Sequence, residues 1–115
     1  GDDEVVLAAM ARALRSNGRL ALSAFSSYFV VKYFEDAVFD AESGVNHEHT
    51  EVRDEQGVRA AVDLWTGCYT PRELRLLGRM SGLRVDSICS VEPGAYGHRP
   101  PTVESAEFLV LATRI

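Results

Sequence analysis

A helix–turn–strand unit close to the first residue constrains the fold of this chain most strongly. The stretch "ARALRSNGRLAL", residues 11–22, reads as the end of an amphipathic helix, a tight turn and the start of a strand. Asn17 and Gly18 both tolerate a left-handed backbone, so the pair predicts the end of the helix. The following "RLALSAF", residues 19–25, is short and mostly apolar, as is typical of a strand buried on both faces. The helix carries one apolar stripe at three- and four-residue spacing, made by Val6, Leu7, Met10, Ala13 and Leu14.

The middle of the chain predicts a second helix followed by a β-hairpin. "SSYFVVKYFEDAVF", residues 26–39, begins with a serine cap and is rich in aromatic residues, which indicates packing against a sheet. Residues 45–53 and 58–66 flank "DEQG", a polar turn that ends in glycine. The first of these strands is polar on both faces, whereas the second has one apolar face. We interpret residues 40–69 as a hairpin insertion, a solvated arm or a lid over a substrate.

The third helix has the clearest local signals in the chain. Thr70 is placed as its N-cap, Pro71 occupies the first helical position, and Glu73 completes a capping box. Gly82 predicts the end of the helix, because glycine readily adopts the left-handed conformation found there. The predicted buried stripe of this helix consists of Leu74, Leu77 and Met80.

Two further strands complete the predicted fold. They are "LRVDSICSV" and the nearly all-apolar "EFLVLATRI", separated by a Pro/Gly-rich loop, "EPGAYGHRPPTVES". With no helix between them, these strands should pair antiparallel. Alternation of helices and strands elsewhere predicts an α/β fold with a mainly parallel sheet covered by helices. We expect residues 1–115 to form a single domain.

Composition excludes some classes of function. The chain has 115 residues and a formal net charge of −5, and its arginines are scattered, which argues against a nucleic-acid partner. No apolar run approaches the ~20 residues of a membrane span, so we expect no membrane partner and a cytoplasmic location. Cys68 and Cys89 give neither a disulfide framework nor paired metal-ligand spacing.

Several segments resemble the class I S-adenosylmethionine-dependent methyltransferases. "ARALRSNGRLAL" resembles the family's "R-x-L-x-P-G-G-x-L" segment, with Ser16-Asn17-Gly18 in place of Pro-Gly-Gly. "YTPRELRLLGRMSGLRVDSI" resembles its later helix, "Y-T-x-x-E-L-x-x-L-L-x-x-A-G-F", and the strand that follows. "EFLVLATR" looks like the closing strand, and "FDAESGVNHEH" resembles the hairpin insertion of many small-molecule members. The motifs run in the family's order over nearly the whole chain.

The resemblance implies the C-terminal half of that fold. The family has a seven-stranded Rossmann-like sheet, and this chain matches it only from the helix before the fifth strand. The family's first half holds S-adenosylmethionine with a glycine-rich loop and an acid. No G-x-G turn between a strand and a helix is present here. We therefore expect the chain alone to bind no cofactor and to be inactive.

The same resemblance implies an open strand edge. In the family, the final strand inserts antiparallel between the fifth and the sixth, which predicts the order "RLALSAF", "EFLVLAT", "LRVDSIC" for these last three strands. Without the first four strands, residues 19–25 are left at an edge with unpaired N–H and C=O groups. We expect this edge to pair with a second copy of the chain, as a homodimer, or with a complementing N-terminal half.

Substrate-facing residues are expected at the C-terminal ends of the parallel strands, where open α/β sheets bind ligands. For each candidate, plain core packing is the alternative role. The sequence offers no credible nucleophile, and no catalytic residue is assigned, because methyl transfer depends mostly on placing the acceptor. The candidates for contact with a small-molecule acceptor are Phe25, Tyr28, Trp65, Tyr69, Tyr96 and His98.

His47 and His49 form an H-x-H pair on one face of a predicted strand. This spacing can serve a metal, but no further ligand joins the pair at a convincing spacing, and a solvated strand face explains it better. We predict no metal site. Two functions then stay open: the acceptor-side half of a small-molecule methyltransferase, or a non-catalytic dimerisation and interaction module derived from that half-fold.

Overall fold

A computed structural model describes residues 2–115, with the side chains of residues 96–98 outside the described part. Three helices and seven strands form along these residues. The helices are α1 (Asp3–Ala13), α2 (Ser27–Tyr33) and α3 (Pro71–Met80). The strands are β1 (Arg19–Ser26), β2 (Ala37–Asp40), β3 (Val45–Arg53), β4 (Arg59–Tyr69), β5 (Leu83–Glu92), β6 (Ala95–Arg99) and β7 (Glu107–Arg114). None of the described helices combines the length and the apolar character needed to cross a membrane.

The strands join in the order β2-β3-β4-β1-β7-β5-β6. The predicted neighbours β1, β7 and β5 are therefore confirmed, with β7 antiparallel to both. The expectation of a mainly parallel sheet is wrong as far as neighbouring strands are concerned, since β1 and β4 are the one parallel pair among the described strands. The reason is that β7 separates β1 from β5, and short turns join most of the other neighbours.

The core lies on one face of this sheet, under α1 and α3. Ala24, Phe108 and Val110 pack there with Leu74 of α3. A second cluster joins Ala11 of α1 to the sheet. On β1 the side chains of this face are buried or half-buried, whereas Ala21, Ser23 and Phe25 on the other face are exposed. The strand predicted to be buried on both faces is thus covered on one face only.

Two segments differ from the sequence-based expectation. The second helix ends at Tyr33, and residues 37–40 form β2 against β3, so the arm has three strands rather than two. The expected loop after β5 contains β6, which pairs back on β5 through a turn with Gly94 at φ +77°. In both places pairing with a neighbouring strand overrides the local helix or loop tendency.

The capping signals of α3 act as predicted. Thr70 Oγ1 accepts from the Glu73 N–H at 3.2 Å, and the Glu73 carboxylate accepts from the Thr70 N–H at 3.2 Å. Its buried stripe is different from the predicted one, because Met80 is 67% exposed and Gly78 is buried instead. A Cβ on Gly78 would lie 2.6 Å from Val85 Cγ2, so glycine lets α3 lie close to β5.

Candidate functional site

Two cavities meet at the C-terminal end of β1, and the Phe25 side chain lines both of them. This is the end at which β4 joins β1, with Phe25 opposite Cys68 and Ser26 opposite Tyr69. Ligands bind at this end of the strands in open α/β sheets. We therefore describe this region as the candidate site.

The first cavity, the edge groove, runs beside β1 and has a volume of about 250 Å³. It exists because β4 covers β1 only at residues 25 and 26, whereas β7 pairs with the whole of residues 19–25. The expected edge at 19–25 is thus shortened by one residue, since Phe25 has a partner on β4. In the described part of the chain, residues 19–24 have strand partners on one side only.

Alternation along β1 identifies the unpaired backbone groups. The Ser26 N–H donates to Ala106 and the Gly18 carbonyl accepts from Arg114, so even-numbered residues face β7. Because successive residues of a strand direct their N–H and C=O groups to opposite sides, Arg19, Ala21 and Ser23 direct theirs to the open edge of β1. Of these three, Ser23 also lines the edge groove.

The second cavity, the aromatic cavity, has a volume of about 310 Å³ and lies between α2 and the β3–β4 hairpin. Its floor consists of two cross-strand pairs, Asn46 opposite Thr66 and Glu48 opposite Leu64. These residues share one face of the hairpin because alternate side chains of a strand point the same way. Phe25, Phe29 and Phe34 supply the aromatic walls.

The position of α2 decides the shape of the aromatic cavity. Ser26 is fully buried, and its Oγ accepts from the Phe29 N–H at 3.3 Å, which starts the helix directly after β1. At the other end, Lys32 and Tyr33 both donate to the Glu104 carboxylate in the segment before β7. With both ends held in this way, α2 holds Phe29 beside the hairpin.

Asn46 is the unusual polar group of this cavity. It is only 3% exposed, and its Oδ1 has no hydrogen-bond partner among the described residues. A buried acceptor left without a partner costs about 1–3 kcal/mol of stability. Buried polar atoms without a hydrogen-bond partner are rare in folded proteins. Asn46 Oδ1 is therefore an acceptor that lacks a donor among the described residues.

A third cavity, the acidic cavity, adjoins the aromatic one and shares Phe34 and Glu48 with it. Glu35 and Asp36 also line it, and no lysine or arginine is among the lining residues of either cavity. His49 also lines the acidic cavity, and its Nδ1 lies 3.1 Å from Asp63 Oδ1. The acidic cavity thus places three carboxyl side chains, those of Glu35, Asp36 and Glu48, next to the aromatic cavity.

Tyr69 lines the edge groove, and its hydroxyl has an altered acidity. Burial, followed by a hydrogen bond to Asp3, raises the pKa of Tyr69 to about 12. The phenol thus stays protonated over the physiological range and acts as a hydrogen-bond donor in the groove.

The structure brings Phe25 and Tyr69 together and separates the other described candidates from them. Trp65 lies on the opposite face of the hairpin, 65% exposed, with its ring stacked on His47 at a centroid distance of 4.4 Å. Tyr28 of α2 is exposed and does not line either cavity. The side chains of Tyr96 and His98 lie outside the described residues. Sequence reasoning missed Asn46, Glu48 and Thr66, although their alternate spacing on the hairpin could have indicated a shared face.

The two histidines of the H-x-H pair on β3 both lie next to one carboxylate, that of Asp63. His47 Nε2 and His49 Nδ1 both lie within hydrogen-bond distance of Asp63 Oδ1, at 3.0 and 3.1 Å. Hydrogen bonds from His49 and then His47 lower the pKa of Asp63. Within residues 2–95 and 99–115, no group of three or more potential ligands is placed to hold a metal ion.

Comparison with known proteins shows which known fold this chain resembles. No protein-family model matches the chain, and no curated protein matches it. Solved structures do match, and one is the CcbJ methyltransferase from Streptomyces caelestis, with a TM-score of 0.71, 14% identity and coverage of 97% of this chain. The chain has part of the fold of an S-adenosylmethionine-dependent methyltransferase.

Two other structures with this methyltransferase fold support the same conclusion. An S-adenosylmethionine-dependent methyltransferase from Clostridium acetobutylicum matches with a TM-score of 0.69 and 12% identity, over 96% of this chain. CalS10 from Micromonospora echinaspora, an amino pentose methyltransferase, matches with a TM-score of 0.54 and 17% identity, over 97%. The matched region spans 52%, 50% and 50% of the three neighbours, so this chain is about half their length.

The described strand-to-helix junctions do not fit S-adenosylmethionine. At the β1–α2 junction Ser26 is fully buried and caps α2 itself, and the β4–α3 junction is closed by the Thr70–Glu73 capping box. The glycines with positive φ lie in turns that do not link a strand to a helix N-terminus: Gly44, Gly57, Gly82 and Gly94. Within residues 2–95 and 99–115, neither junction between a strand and a following helix contains a glycine-rich turn of the kind that holds a dinucleotide-like cofactor.

Proposed function

We propose that this chain is the acceptor-side, C-terminal half of an S-adenosylmethionine-dependent small-molecule methyltransferase. In that family the cofactor supplies the methyl group. We assign the binding of the cofactor to a second segment, which is either another part of the same polypeptide or a separate polypeptide. The aromatic cavity is the proposed acceptor site. The proposal includes a cytoplasmic location, which remains an expectation from the sequence.

The observation that carries this proposal is the edge groove. Arg19, Ala21 and Ser23 direct unpaired backbone groups to the open edge of β1. Ser23 also lines the edge groove, together with Val6 and Met10 of α1, both of which are exposed. An apolar strand edge of this kind is a template for a further strand. The chain also accounts for only about half of the neighbours' length, so a complementary set of strands is the natural occupant of the groove.

Phe25 supports the link between this edge and an acceptor. Its side chain lines both the edge groove and the aromatic cavity, so a segment bound at the edge would lie next to a molecule held in the cavity. The contribution of this chain to catalysis would be positional, because it would orient the acceptor and exclude water from it. No acid–base residue is assigned.

Calorimetry with S-adenosylmethionine tests the proposal. The 115-residue chain is titrated beside the longer polypeptide that is encoded when the preceding codons of its reading frame are included. We expect binding to the longer polypeptide and no tight binding to the chain alone. Sub-micromolar binding by the chain alone would contradict the assignment of the cofactor site to another segment, and so would a longer polypeptide that forms the complete sheet without binding the cofactor.

The second candidate function is a non-catalytic dimerisation module, and the same open edge favours it. A second copy of the chain would then pair along residues 19–24, and the edge groove would be filled in each copy by the other. Sedimentation velocity separates the two functions. A stable dimer whose reading frame encodes no preceding G-x-G segment supports the module, whereas a monomer that assembles with a preceding half supports the methyltransferase.

A further inference from the structure

The aromatic cavity has the features of a binding site for a positively charged ligand with N–H donors. Three phenylalanine rings, Phe25, Phe29 and Phe34, face the same space between α2 and the β3–β4 hairpin. The faces of aromatic rings carry partial negative charge and attract cations. An apolar cavity of about 310 Å³ is at the small end of ligand sites, which restricts it to small molecules.

Charge around the cavity points to the same class of ligand. Glu48 lines both the aromatic and the acidic cavity, and Glu35 and Asp36 line the acidic one. No lysine or arginine lies in either lining to neutralise them. The nearby Lys32 is already paired with Glu104, which lines neither cavity. These carboxylates therefore favour a ligand that carries a positive charge.

Asn46 adds a requirement for a donor. Its Oδ1 is buried and has no hydrogen-bond partner in the described part of the chain, while the residue lines the aromatic cavity. Rotation of the amide about χ2 is soft, so Oδ1 can turn toward a ligand in this cavity. An N–H group would satisfy it, whereas a quaternary ammonium or an ether could not.

From these three observations we infer that the aromatic cavity binds a small primary or secondary organic ammonium whose apolar body lies against the phenylalanine rings. The charged nitrogen lies between Glu48 and Asn46, donating to the carboxylate and to Oδ1. As a statement about the methyl acceptor, this inference rests on the proposed function. The nitrogen would then accept the methyl group as the neutral amine, after the ammonium has released one proton to solvent, and the cofactor would leave as the neutral thioether. Binding of the ammonium itself requires only this chain, without a cofactor or a second segment.

Three matched probes test the inference. 2-Phenylethylammonium, its N,N,N-trimethyl analogue and 2-phenylethanol share one ring and one linker and differ in charge and in N–H groups. We expect 2-phenylethylammonium to bind about fivefold more tightly than either of the others in a titration followed by amide chemical shifts. The shifted signals should include those of Asn46, Thr66 and Phe29. Equal binding of 2-phenylethanol, or shifts confined to the edge groove, would overturn the inference.

Variants locate the two polar contacts. Glu48→Gln should weaken 2-phenylethylammonium binding by about fivefold and leave 2-phenylethanol unchanged, because only the charge is removed. Glu55→Gln, at the exposed hairpin turn away from the cavity, is the matched control and should change neither. Asn46→Leu should reduce the preference for the primary over the trimethyl probe. If Asn46→Leu does not fold, Glu48→Gln and the probe series still decide the question.

These experiments separate this inference from the proposed function. The titration uses no cofactor and no second segment, so a negative result removes the ammonium site and leaves assembly at the edge groove untouched. Conversely, a chain that binds the ammonium probe but never assembles with a preceding half keeps the site and loses the methyltransferase role.

Discussion

The Cα partner of Phe25 is Cys68, and this pair marks the point where β4 first covers β1. From this pair back along β1 toward Arg19, the strand has β7 on one side and an open edge, with the edge groove, on the other. The residues of β4 that precede Cys68 pair with β3, and this hairpin forms the floor of the aromatic cavity, which Phe25 also lines. The pair thus separates the proposed surface for a second sheet segment from the proposed acceptor site.

Proline substitutions on β1 should distinguish its two edges. Ala21→Pro removes an N–H group that faces the open edge of β1, so we expect it to abolish pairing with an added strand and to leave the fold intact. Leu22→Pro instead removes a group that faces β7 and should destabilise the fold by about 1–3 kcal/mol. Sedimentation velocity and urea unfolding provide the two measurements. Equal stability losses in both variants would show that the two edges are equivalent.

A methyl group at position 78 should destabilise the packing of α3. In Gly78→Ala the new Cβ would lie 2.6 Å from Val85 Cγ2, a clash with a stiff β-branched side chain. We expect a net loss of about 1–2 kcal/mol, since alanine's better helix propensity offsets part of the strain. Urea unfolding measures this loss. In a Val85→Ala background the same substitution should become neutral or stabilising, and an unchanged loss there would exclude the clash as its cause.

Tyr69 should titrate well above an ordinary tyrosine. Its folded pKa is about 12, compared with 10.0 for an unperturbed phenol. Because the folded pKa lies above the unfolded one, Tyr69 makes its full contribution to the free energy of unfolding below pH 10. This contribution is lost as the pH rises toward 12. The difference in alkaline absorbance between the parent chain and Tyr69→Phe isolates this phenol. A step near pH 10 in the native chain, matching that of the urea-unfolded chain, would contradict the prediction.

Asp63 should stabilise the fold at neutral pH and lose this contribution in acid, whereas Tyr69 loses its contribution in alkali. Hydrogen bonds from His49 and His47 hold its folded pKa below the ordinary value of 3.8. The contribution of Asp63 is therefore present above pH 3.8 and is lost as the pH falls through the lower folded value. Thermal unfolding should show a shallower loss of stability at acid pH for Asp63→Asn than for the parent chain. Glu55→Gln serves as control, and identical slopes for Asp63→Asn and the parent would rule out this linkage.

Local signals were sufficient where a few neighbouring residues decide the structure. The Thr70–Glu73 capping box begins α3 as predicted, and Asn17, with φ +64°, lies in the turn before β1. The absence of a helix between β5 and β7 correctly predicted their antiparallel pairing. The order β1-β7-β5 followed from the resemblance to methyltransferases rather than from local pattern.

Predictions failed where a distant strand or face decides the outcome. Residues 37–39 were predicted as the end of the second helix, but they pair with β3 as part of β2. Met80 has the spacing of a buried residue, yet α3 turns Gly78 to the sheet because close approach to Val85 requires it. The face on which Trp65 lies depends on hairpin register, which places it beside His47 rather than in the aromatic cavity.

The sequence by itself determined the N-caps of α2 and α3 and the extent of most strands, because these depend on contacts within a few residues. It did not determine the end of α1, which stops at Ala13 with Leu14 extended rather than at Asn17–Gly18. Only the tertiary structure decided that Asn46, Glu48 and Thr66 share a cavity with Phe25, and that β1 is open at 19–24 and closed by β4 beyond it. These relationships join segments that are distant in sequence. They depend on strand register and on the position of α2, neither of which leaves a local pattern in the residues involved.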